Sequence, residues 1–359
     1  MRRLPIPVLL LLILVLAMPA VADARYSRKK AIWGPTQVNG VSQFPIYREL
    51  GVGIYQMSLQ WDQVAPTEPQ RPGDPADPAY RWPEEVDYAI REGRRHRIRV
   101  ALMITRAPSW ANGGRSSEWA PKRPRDFAAF ARAASRRYER VRLWMIWGEP
   151  SRDFNFKPLP RFEATGPRRY ARILDAAYGS LKRERRSNLV IGGNTFTTGD
   201  VSPRQFIRSM RLPNGRPPRM DLYGHNPFTR RKPALRKGPL GHGFADFSDL
   251  DTLAGWIDSN LGRRPSGGPI RLFLAEFTLP TDHANHEFNF WVTRKVQANW
   301  LSAALRITRR WSRIYALGWI ALYDEPPNGP NGAPGDEVNR GLLEWDGDRK
   351  PSYRAFRRG

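Results

Sequence analysis

Two glutamates stand at the ends of short apolar runs in this chain of 359 residues. Glu149 comes shortly after the run Leu143–Trp147, and Glu276 directly follows the run Ile270–Ala275. They are 127 residues apart, close to three strand–helix units of about 40 residues each. If both runs are parallel strands, the two carboxyl groups lie at the same end of the sheet. Facing carboxyls, one protonated and one ionised, could cleave a glycosidic bond by acid-assisted nucleophilic displacement.

Aromatic residues stand beside both glutamates. Trp147 precedes Glu149 by two positions, and Phe277 directly follows Glu276. Apolar rings next to a carboxyl lower the local dielectric and disfavour its charge. A ring face also offers a sugar a surface for stacking, so Trp147 is a predicted substrate-binding residue.

The chain around these residues alternates between β-rich apolar runs and longer amphipathic segments. The predicted strands are 31–33, 53–57, 98–104, 143–147, 189–191, 220–223, 270–275 and 315–322. The clearest predicted helices are 127–138, 170–184, 250–261 and 292–309. Eight strand–helix repeats predict an α/β protein with one domain, a (β/α)8 TIM barrel, whose chemistry lies at the carboxyl ends of the strands. A doubly wound sheet is the competing arrangement, but no glycine-rich phosphate-binding sequence follows an early strand.

The motifs at the predicted strand ends resemble those of clan A glycoside hydrolases. Trp147-Gly148-Glu149-Pro150 is similar to the Trp-Asn-Glu-Pro motif on strand four of that clan. Ala275-Glu276-Phe277 is similar to its nucleophile strand. The resemblance extends over nearly all of the chain after residue 24 and is nearest to the cellulase-like and β-xylosidase-like branches of the clan. It implies that Glu149 is the general acid/base, that Glu276 is the nucleophile, and that the enzyme is a retaining glycosidase or transglycosylase. It also implies a β-linked oligo- or polysaccharide as substrate and no cofactor.

One position departs from the clan pattern. The clan has Asn before the acid/base, where its amide contacts the sugar 2-hydroxyl, whereas this chain has Gly148. Losing a contact that strengthens in the transition state costs a few kcal/mol. Asn194 and Asn226, which follow predicted strands five and six, could supply the amide. The alternatives are a substrate that lacks a free 2-hydroxyl, or a glycan-binding barrel with little or no activity.

Further binding residues are expected around the same mouth. His225 resembles a strand-six histidine that touches the nucleophile in the clan, and a hydrogen-bonded structural histidine is the alternative. No second ligand stands near it at a usable spacing, so no metal site is predicted. Trp61, Trp110 and Trp319 follow strands two, three and eight and could stack on sugars, with core packing as the alternative. Tyr323 continues the end of strand eight.

Composition limits the remaining classes. The absence of cysteine excludes disulfide scaffolds and thiolate chemistry. The net charge of +25 comes mostly from arginines spread along the chain, and no nucleic-acid-binding module is visible. A GC-rich coding sequence explains such arginines, while an acidic glycan or cell-wall polymer is the functional alternative, with the chain acting as an adhesin. The basic loop Arg230–Leu240 borders the predicted mouth and could contact anionic groups or be merely solvated.

The first 24 residues have the parts of a secretory signal peptide. Arg2 and Arg3 precede the apolar run Val8–Ala17, and Ala22 and Ala24 form a small-residue cleavage site. The apolar run is short for a membrane span of about 20 residues. We therefore expect cleavage after Ala24, a secreted catalytic domain at 25–359, and no stable membrane association afterwards. A retained amino-terminal anchor is the alternative.

Overall fold

Eight parallel strands close into a barrel in the computed structural model, which describes residues 27–235, 238–329, 332 and 335–359. The strands are β1 (Ser27–Trp33), β2 (Val52–Gln60), β3 (Arg99–Thr105), β4 (Leu143–Ile146), β5 (Leu189–Phe196), β6 (Leu222–Asn226), β7 (Arg271–Phe277) and β8 (Ile314–Ile320). Each pairs with its neighbours along the chain, and β1 also pairs with β8, which closes the barrel. The predicted (β/α)8 barrel is confirmed. The predicted signal peptide at 1–24 lies outside the described residues.

Helices cover the outside of the barrel. They are α1 (Phe44–Glu49), α2 (Trp61–Val64), α3 (Glu84–Arg95), α4 (Ser109–Asn112), α5 (Pro124–Arg137), α6 (Thr165–Glu184), α7 (Pro203–Ser209), α8 (Leu250–Leu261), α9 (Arg294–Arg310) and α10 (Pro351–Arg358). A 3-10 turn at Phe247–Asp249 precedes α8, and a short hairpin pairs Gln37–Val38 with Val41–Ser42. Within the described part of the chain, no helix is long and apolar enough to cross a membrane.

The hydrophobic core has two layers. Inside the barrel the side chains are small and branched residues with one aromatic, among them Ala31, Ile54, Met145, Ile191 and Phe273. A larger layer packs between the outer faces of the strands and the helices. Strands buried on both faces must be apolar at nearly every position, which is why continuous apolar runs identified them in the sequence.

Three strands extend further toward the mouth than their apolar runs indicate. β5 continues to Phe196, β6 to Asn226 and β7 to Phe277. Asn194, Asn226 and Glu276 therefore lie within strands rather than after them. β4 instead ends one residue early, because Trp147 has a left-handed backbone with φ of 66°. A polar residue near the mouth interrupts the hydrophobic pattern of the sequence, but the strand itself continues through it.

Candidate active site

The end of β4 is a sharp turn that directs Glu149 into the mouth. Trp147 and Glu149 have φ values of 66° and 42°, a region that costs a residue with a side chain about 1 kcal/mol or more. Hydrogen bonds on both sides of the turn hold it in place. The indole Nε1 of buried Trp147 donates to the Asn155 carbonyl at 2.8 Å, and Asn194 Nδ2 donates to the Trp147 carbonyl at 2.7 Å.

The Glu149 carboxyl is buried and accepts three side-chain hydrogen bonds. Asn226 Nδ2 donates to Oε1 at 2.8 Å. Arg152 Nη1 and Asn155 Nδ2 donate to Oε2 at 3.0 and 3.2 Å. Donors of this kind, and the guanidinium above all, favour the ionised form of a carboxyl. These contacts hold the Glu149 carboxyl in one position, and its negative charge acts on the neighbouring Glu276.

Glu276 has the opposite environment. Its carboxyl is partly buried on β7, and none of the described residues donates a hydrogen bond to it. Burial, followed by the negative charge of Glu149, raises the pKa of Glu276 to about 8, although Arg340 and Arg152 oppose this rise. At neutral pH the two carboxyls thus hold one proton between them, and in the free protein it lies on Glu276.

The space beside Gly148 is filled from the neighbouring strand. A Cβ atom at Gly148 would lie 3.1 Å from Sδ and 3.2 Å from Cε of Met103 on β3, and 3.5 Å from Thr105. The clan's amide is therefore absent here, and a thioether occupies the adjoining volume. Of the two predicted replacements, Asn194 donates its amide to the Trp147 carbonyl, whereas Asn226 donates to Glu149. Asn226 is the amide that the fold brings to the carboxyl pair.

His225 lies on the outer face of β6 and not against the nucleophile. Its Nδ1 is 2.9 Å from Thr195 Oγ1, and its Nε2 is 2.8 Å from the Ala245 carbonyl. Burial lowers the pKa of His225 to about 4, so the ring is neutral. The expected contact with Glu276 is wrong, because side chains alternate along a strand and Asn226 is the residue that faces the mouth.

Trp61 belongs to the core rather than to a sugar-binding surface. It is fully buried on α2, with ring centroids 5.4 Å from Trp110 and 5.6 Å from Phe130. The expectation that it stacks on substrate is therefore wrong. Trp110 is only partly buried, and its Nε1 donates to the Ala65 carbonyl at 2.8 Å.

At the end of β8, Trp319 and Tyr323 differ in exposure. Trp319 is buried with its ring centroid 5.9 Å from that of Phe277, and its Nε1 is buried without a hydrogen-bond partner in the described structure. Tyr323 is partly exposed, and its hydroxyl donates to Gln43 Oε1 at 2.7 Å. Trp319 thus packs against the residue that follows Glu276, while Tyr323 lies nearer the surface.

Two residues that sequence reasoning missed support the strand under Glu276. Trp33 Nε1 and Gln56 Nε2 both donate to the Ala275 carbonyl, at 2.9 and 3.0 Å. Both also line a cavity of about 540 Å³ beside β1, β2 and α3, together with Ser58 and Glu85. A polar residue within an apolar run, as Gln56 is in β2, was the available signal for this position.

An aromatic and guanidinium wall follows the mouth from the end of β4 to the loop after β7. The Arg152 guanidinium lies 4.1 Å from the ring centroid of Phe154 and 4.4 Å from that of Phe196. Phe196 is 5.4 Å from Phe228, which is 6.0 Å from Phe288. We call these five residues the mouth wall. They escaped prediction because they come from separate parts of the sequence, the loop after β4, the end of β5 and the loops after β6 and β7, and no periodic pattern connects them.

The basic loop after β6 is partly structural. Arg231 forms ion pairs with Asp246 at 2.6 Å and Asp249 at 2.9 Å. Arg230 instead lies over the Phe290 ring at 5.0 Å, beyond the end of the mouth wall. Arg236 and Lys237 lie outside the described residues.

One group of side chains in the described structure has the ligand types for a metal ion. His286, Glu287 and Glu325 place ligand atoms within 4.8 Å of one another on the loops after β7 and β8. Glu287 also forms an ion pair with Arg340, whose Nη2 lies 3.9 Å from Glu325. A guanidinium already balances these carboxylates, so we derive no metal-dependent step.

Comparison with known proteins gives the fold a context. No family model and no curated protein matches the sequence. A solved family 39 glycoside hydrolase from Bacteroides cellulosilyticus is similar, with 18% identity, a TM-score of 0.68, and coverage of 94% of this chain and 64% of that one. A β-xylosidase from Caulobacter crescentus has 15% identity, a TM-score of 0.61 and coverage of 92% and 67%. A glucosidase from Croceicoccus marinus has 13% identity, a TM-score of 0.64 and coverage of 93% and 67%.

These similarities define the class of the fold. The structural neighbours are glycoside hydrolases with the clan A barrel, so the resemblance found in the sequence motifs is confirmed at the level of the fold. This chain spans about two thirds of the length of the three neighbours. What the chain does must be argued from its own site.

Proposed function

We propose that this protein is a retaining glycoside hydrolase that cleaves a β-linked glycan. The observation that carries the proposal is the pair of carboxyls at the ends of β4 and β7, Glu149 and Glu276, which hold one proton between them. The glycosidase neighbours with the same barrel support this reading. The other described pair of carboxyls with opposite pKa shifts, Asp246 and Asp249, is bridged by Arg231 and belongs to the basic loop after β6.

The proposed reaction has two displacements. In the first, a Glu276 oxygen attacks the anomeric carbon, the bond to the leaving oxygen breaks, and Glu149 gives its proton to that oxygen. In the second, Glu149 takes a proton from water, and the water oxygen displaces Glu276 from the anomeric carbon. An acceptor sugar in place of water gives transglycosylation with the same residues.

Substrate binding must redistribute the shared proton. The first displacement needs an ionised Glu276 and a protonated Glu149, which is the reverse of the free protein. Positive charge developing at the anomeric carbon beside Glu276 favours its ionised form, and the charge on Glu276 then favours the proton on Glu149. Arg152 and Asn155 stabilise Glu149 again once its proton has left.

The mouth wall supports a glycan with both ring faces and anionic groups. Its phenylalanines offer apolar faces to sugar rings, and Arg152 adds a cation between two of them. Carboxylate or sulfate groups on the substrate would suit that cation. Secretion through the segment 1–24 is part of the proposal and would bring the enzyme to extracellular polysaccharide.

The test is release of reducing ends from a panel of neutral and acidic β-linked polysaccharides. The wild type should release product from at least one member, and Glu276→Ala should release none. The control is Glu139→Ala, a change at an exposed glutamate in an ion pair with Arg185, which should behave as wild type. Product release that persists in Glu276→Ala would refute the assignment of the nucleophile.

A glycan-binding barrel without turnover is the second candidate, favoured by one observation. Met103 occupies the space where an amide beside Gly148 would meet the sugar. A binder should show calorimetric affinity for one polysaccharide, equal in wild type and Glu276→Ala, with no product from either. Any release by wild type that Glu276→Ala abolishes excludes this candidate.

A further inference from the structure

Two adjoining cavities on the outer face of the barrel are lined by basic side chains. One, of about 340 Å³, lies between the start of α5 and α6, and the other, of about 560 Å³, lies between α6, α7 and the loop around His242. Arg168 lines both cavities, so they form one continuous surface. We call it the α6 groove, and its seven lysine and arginine residues are Lys122, Arg168, Arg169, Arg172, Arg204, Arg208 and Arg211.

The charge of the α6 groove is not balanced within the described structure. None of these seven side chains forms an ion pair with a described carboxylate. The arginines nearby do: Arg123 pairs with Asp126, Arg161 with Asp200, and Arg219 with Asp175, each at 2.8–3.1 Å. Glu163, which precedes α6, accepts a hydrogen bond from Thr165. Three nearby carboxylates are thus paired with other arginines, and Glu163 at the edge of the groove is the one that is bonded to a lining residue.

One member of the α6 groove lies close to other cations. Arg169 is partly buried, and its pKa is lowered by that burial and by the charges of Arg115 and Arg172. Like charges held together in this way destabilise a fold unless an anion neutralises them. The groove therefore gains electrostatic free energy from an anionic ligand that contacts several guanidinium groups at once.

We propose that the α6 groove binds an anionic polysaccharide, at a site separate from the carboxyl pair. A polymer with a carboxylate or sulfate on its sugar units would place successive charges along the two cavities. Both cavities lack phenylalanine, tyrosine and tryptophan among their described lining residues. Proteins that bind single-stranded nucleic acid combine basic grooves with aromatic platforms for the bases, so the lining favours the polysaccharide. The groove shares no lining residue with the carboxyl pair or the mouth wall, so it would hold the protein on a polymer independently of hydrolysis.

The test measures binding in a Glu276→Gln background, where loss of hydrolysis cannot affect the result. The polymers are polygalacturonate for carboxylates, dextran sulfate for sulfates, neutral dextran, and an oligothymidylate. Titration calorimetry at several salt concentrations gives the affinity and its salt dependence. At least one of the two anionic polysaccharides should bind, and its affinity should fall steeply as salt rises.

Neutralising the α6 groove should weaken that binding by about tenfold or more at low salt, as expected when several ionic contacts are lost. The variant is Arg168→Gln with Arg204→Gln and Arg208→Gln. Its control has the same change of charge at exposed arginines on α3, α9 and α10: Arg94→Gln, Arg306→Gln and Arg354→Gln. The control should bind within about twofold of the parent. Arg168→Gln alone should weaken binding by about threefold, because Arg168 lines both cavities.

Several results would overturn the proposal. Equal weakening in the two triple variants would assign the binding to diffuse charge. Equal affinity for neutral dextran would exclude an ionic site. Tighter binding of the oligothymidylate than of either anionic polysaccharide would make the groove a nucleic-acid site. Absence of binding to both anionic polysaccharides would also refute it, whatever the hydrolysis assays show.

Discussion

The ends of β4 and β7 carry the same functional group in opposite surroundings. At β4 the backbone is left-handed at Trp147 and Glu149, and three donors converge on the carboxyl. At β7 the strand continues through Glu276 to Phe277 with a shift of its register against β8 at this point, and no described residue donates to the carboxyl. Strain and donors at one strand end, and burial without donors at the other, thus separate the proton affinities of two identical side chains.

The two strand ends differ in how many polar contacts hold the carboxyl. Glu149 is held in one position, as a group that must both give and accept a proton at the leaving oxygen should be. The carboxyl of Glu276 accepts no hydrogen bond from the residues that the structure describes, which leaves its oxygens available for attack on carbon. Each strand end is therefore suited to one step of a double displacement.

Removing either carboxyl should have the largest effect and should separate the two roles. Glu276→Gly and Glu149→Gly should each lose about 10³-fold or more in kcat on a good substrate. Added azide should rescue both, because it can take the place of the missing group. The Glu276 variant should give a glycosyl azide of inverted configuration, and the Glu149 variant one of retained configuration. Anomeric configuration is read by NMR, and the opposite pairing of products would exchange the assigned roles.

Replacing either carboxyl by an amide should change the stability of the fold, and the two changes should have opposite signs. In Glu149→Gln one carboxylate oxygen becomes an NH2 group and the negative charge is lost, so the contacts with Arg152 and Asn155 weaken. This loss should destabilise the fold by about 1–3 kcal/mol. Glu276→Gln removes a carboxyl whose pKa is raised from 4.5 to about 8. The unfolded chain releases that proton at lower pH than the native protein does, so the wild type loses stability as pH rises from about 4.5 to 8.

Glu276→Gln should therefore gain stability relative to wild type across that window, with the difference complete above pH 8. Chemical unfolding at pH 5 and pH 8.5 measures it, with Glu139→Ala as the surface control. A constant difference between Glu276→Gln and wild type at both pH values would contradict the raised pKa of Glu276.

The barrel and its carboxyl pair could be predicted from sequence because burial determines both. Strands buried on two faces must be apolar, and a carboxyl at the end of such a run is conspicuous, as at Glu149 and Glu276. The directions in which individual side chains point were not predicted correctly. The sequence places Trp61 just after β2, but only the packed structure shows its ring facing Phe130 in the core.

The donors to Glu149 were harder to predict for a different reason. Asn226 was found, but for another role, and Arg152 and Asn155 were missed. Their contact with Glu149 depends on how the loop after β4 folds back, and loop conformation has no hydrophobic period to reveal it. Members of the mouth wall such as Phe196 and Phe288 are likewise distant in sequence and meet only through the closed barrel.

The pH dependence of kcat/KM should show how strongly Arg152 lowers the pKa of Glu276. The productive pair holds one proton, so kcat/KM should fall above about pH 8, where Glu276 in the free protein loses it. Arg152 lowers the pKa of Glu276, so Arg152→Gln should move this alkaline limit to higher pH. Arg161→Gln, in the same loop but paired with Asp200, is the control and should leave the limit unchanged. An alkaline limit that stays fixed in Arg152→Gln would show that Arg152 does not act on the pair.

The smallest effect is expected from repacking beside Gly148, where β4 meets β3. An added side chain would meet Met103 Sδ at 3.1 Å, so the thioether must move by a few tenths of an ångström. Gly148→Asn should therefore destabilise the fold by about 1 kcal/mol. In a Met103→Ala background, which itself loses packing, Gly148→Asn should cost little further stability, because the shorter side chain frees the volume. If Gly148→Asn costs as much in the Met103→Ala background as in the wild type, Met103 is not the obstacle, and the turn at Trp147 and Glu149 itself requires the glycine.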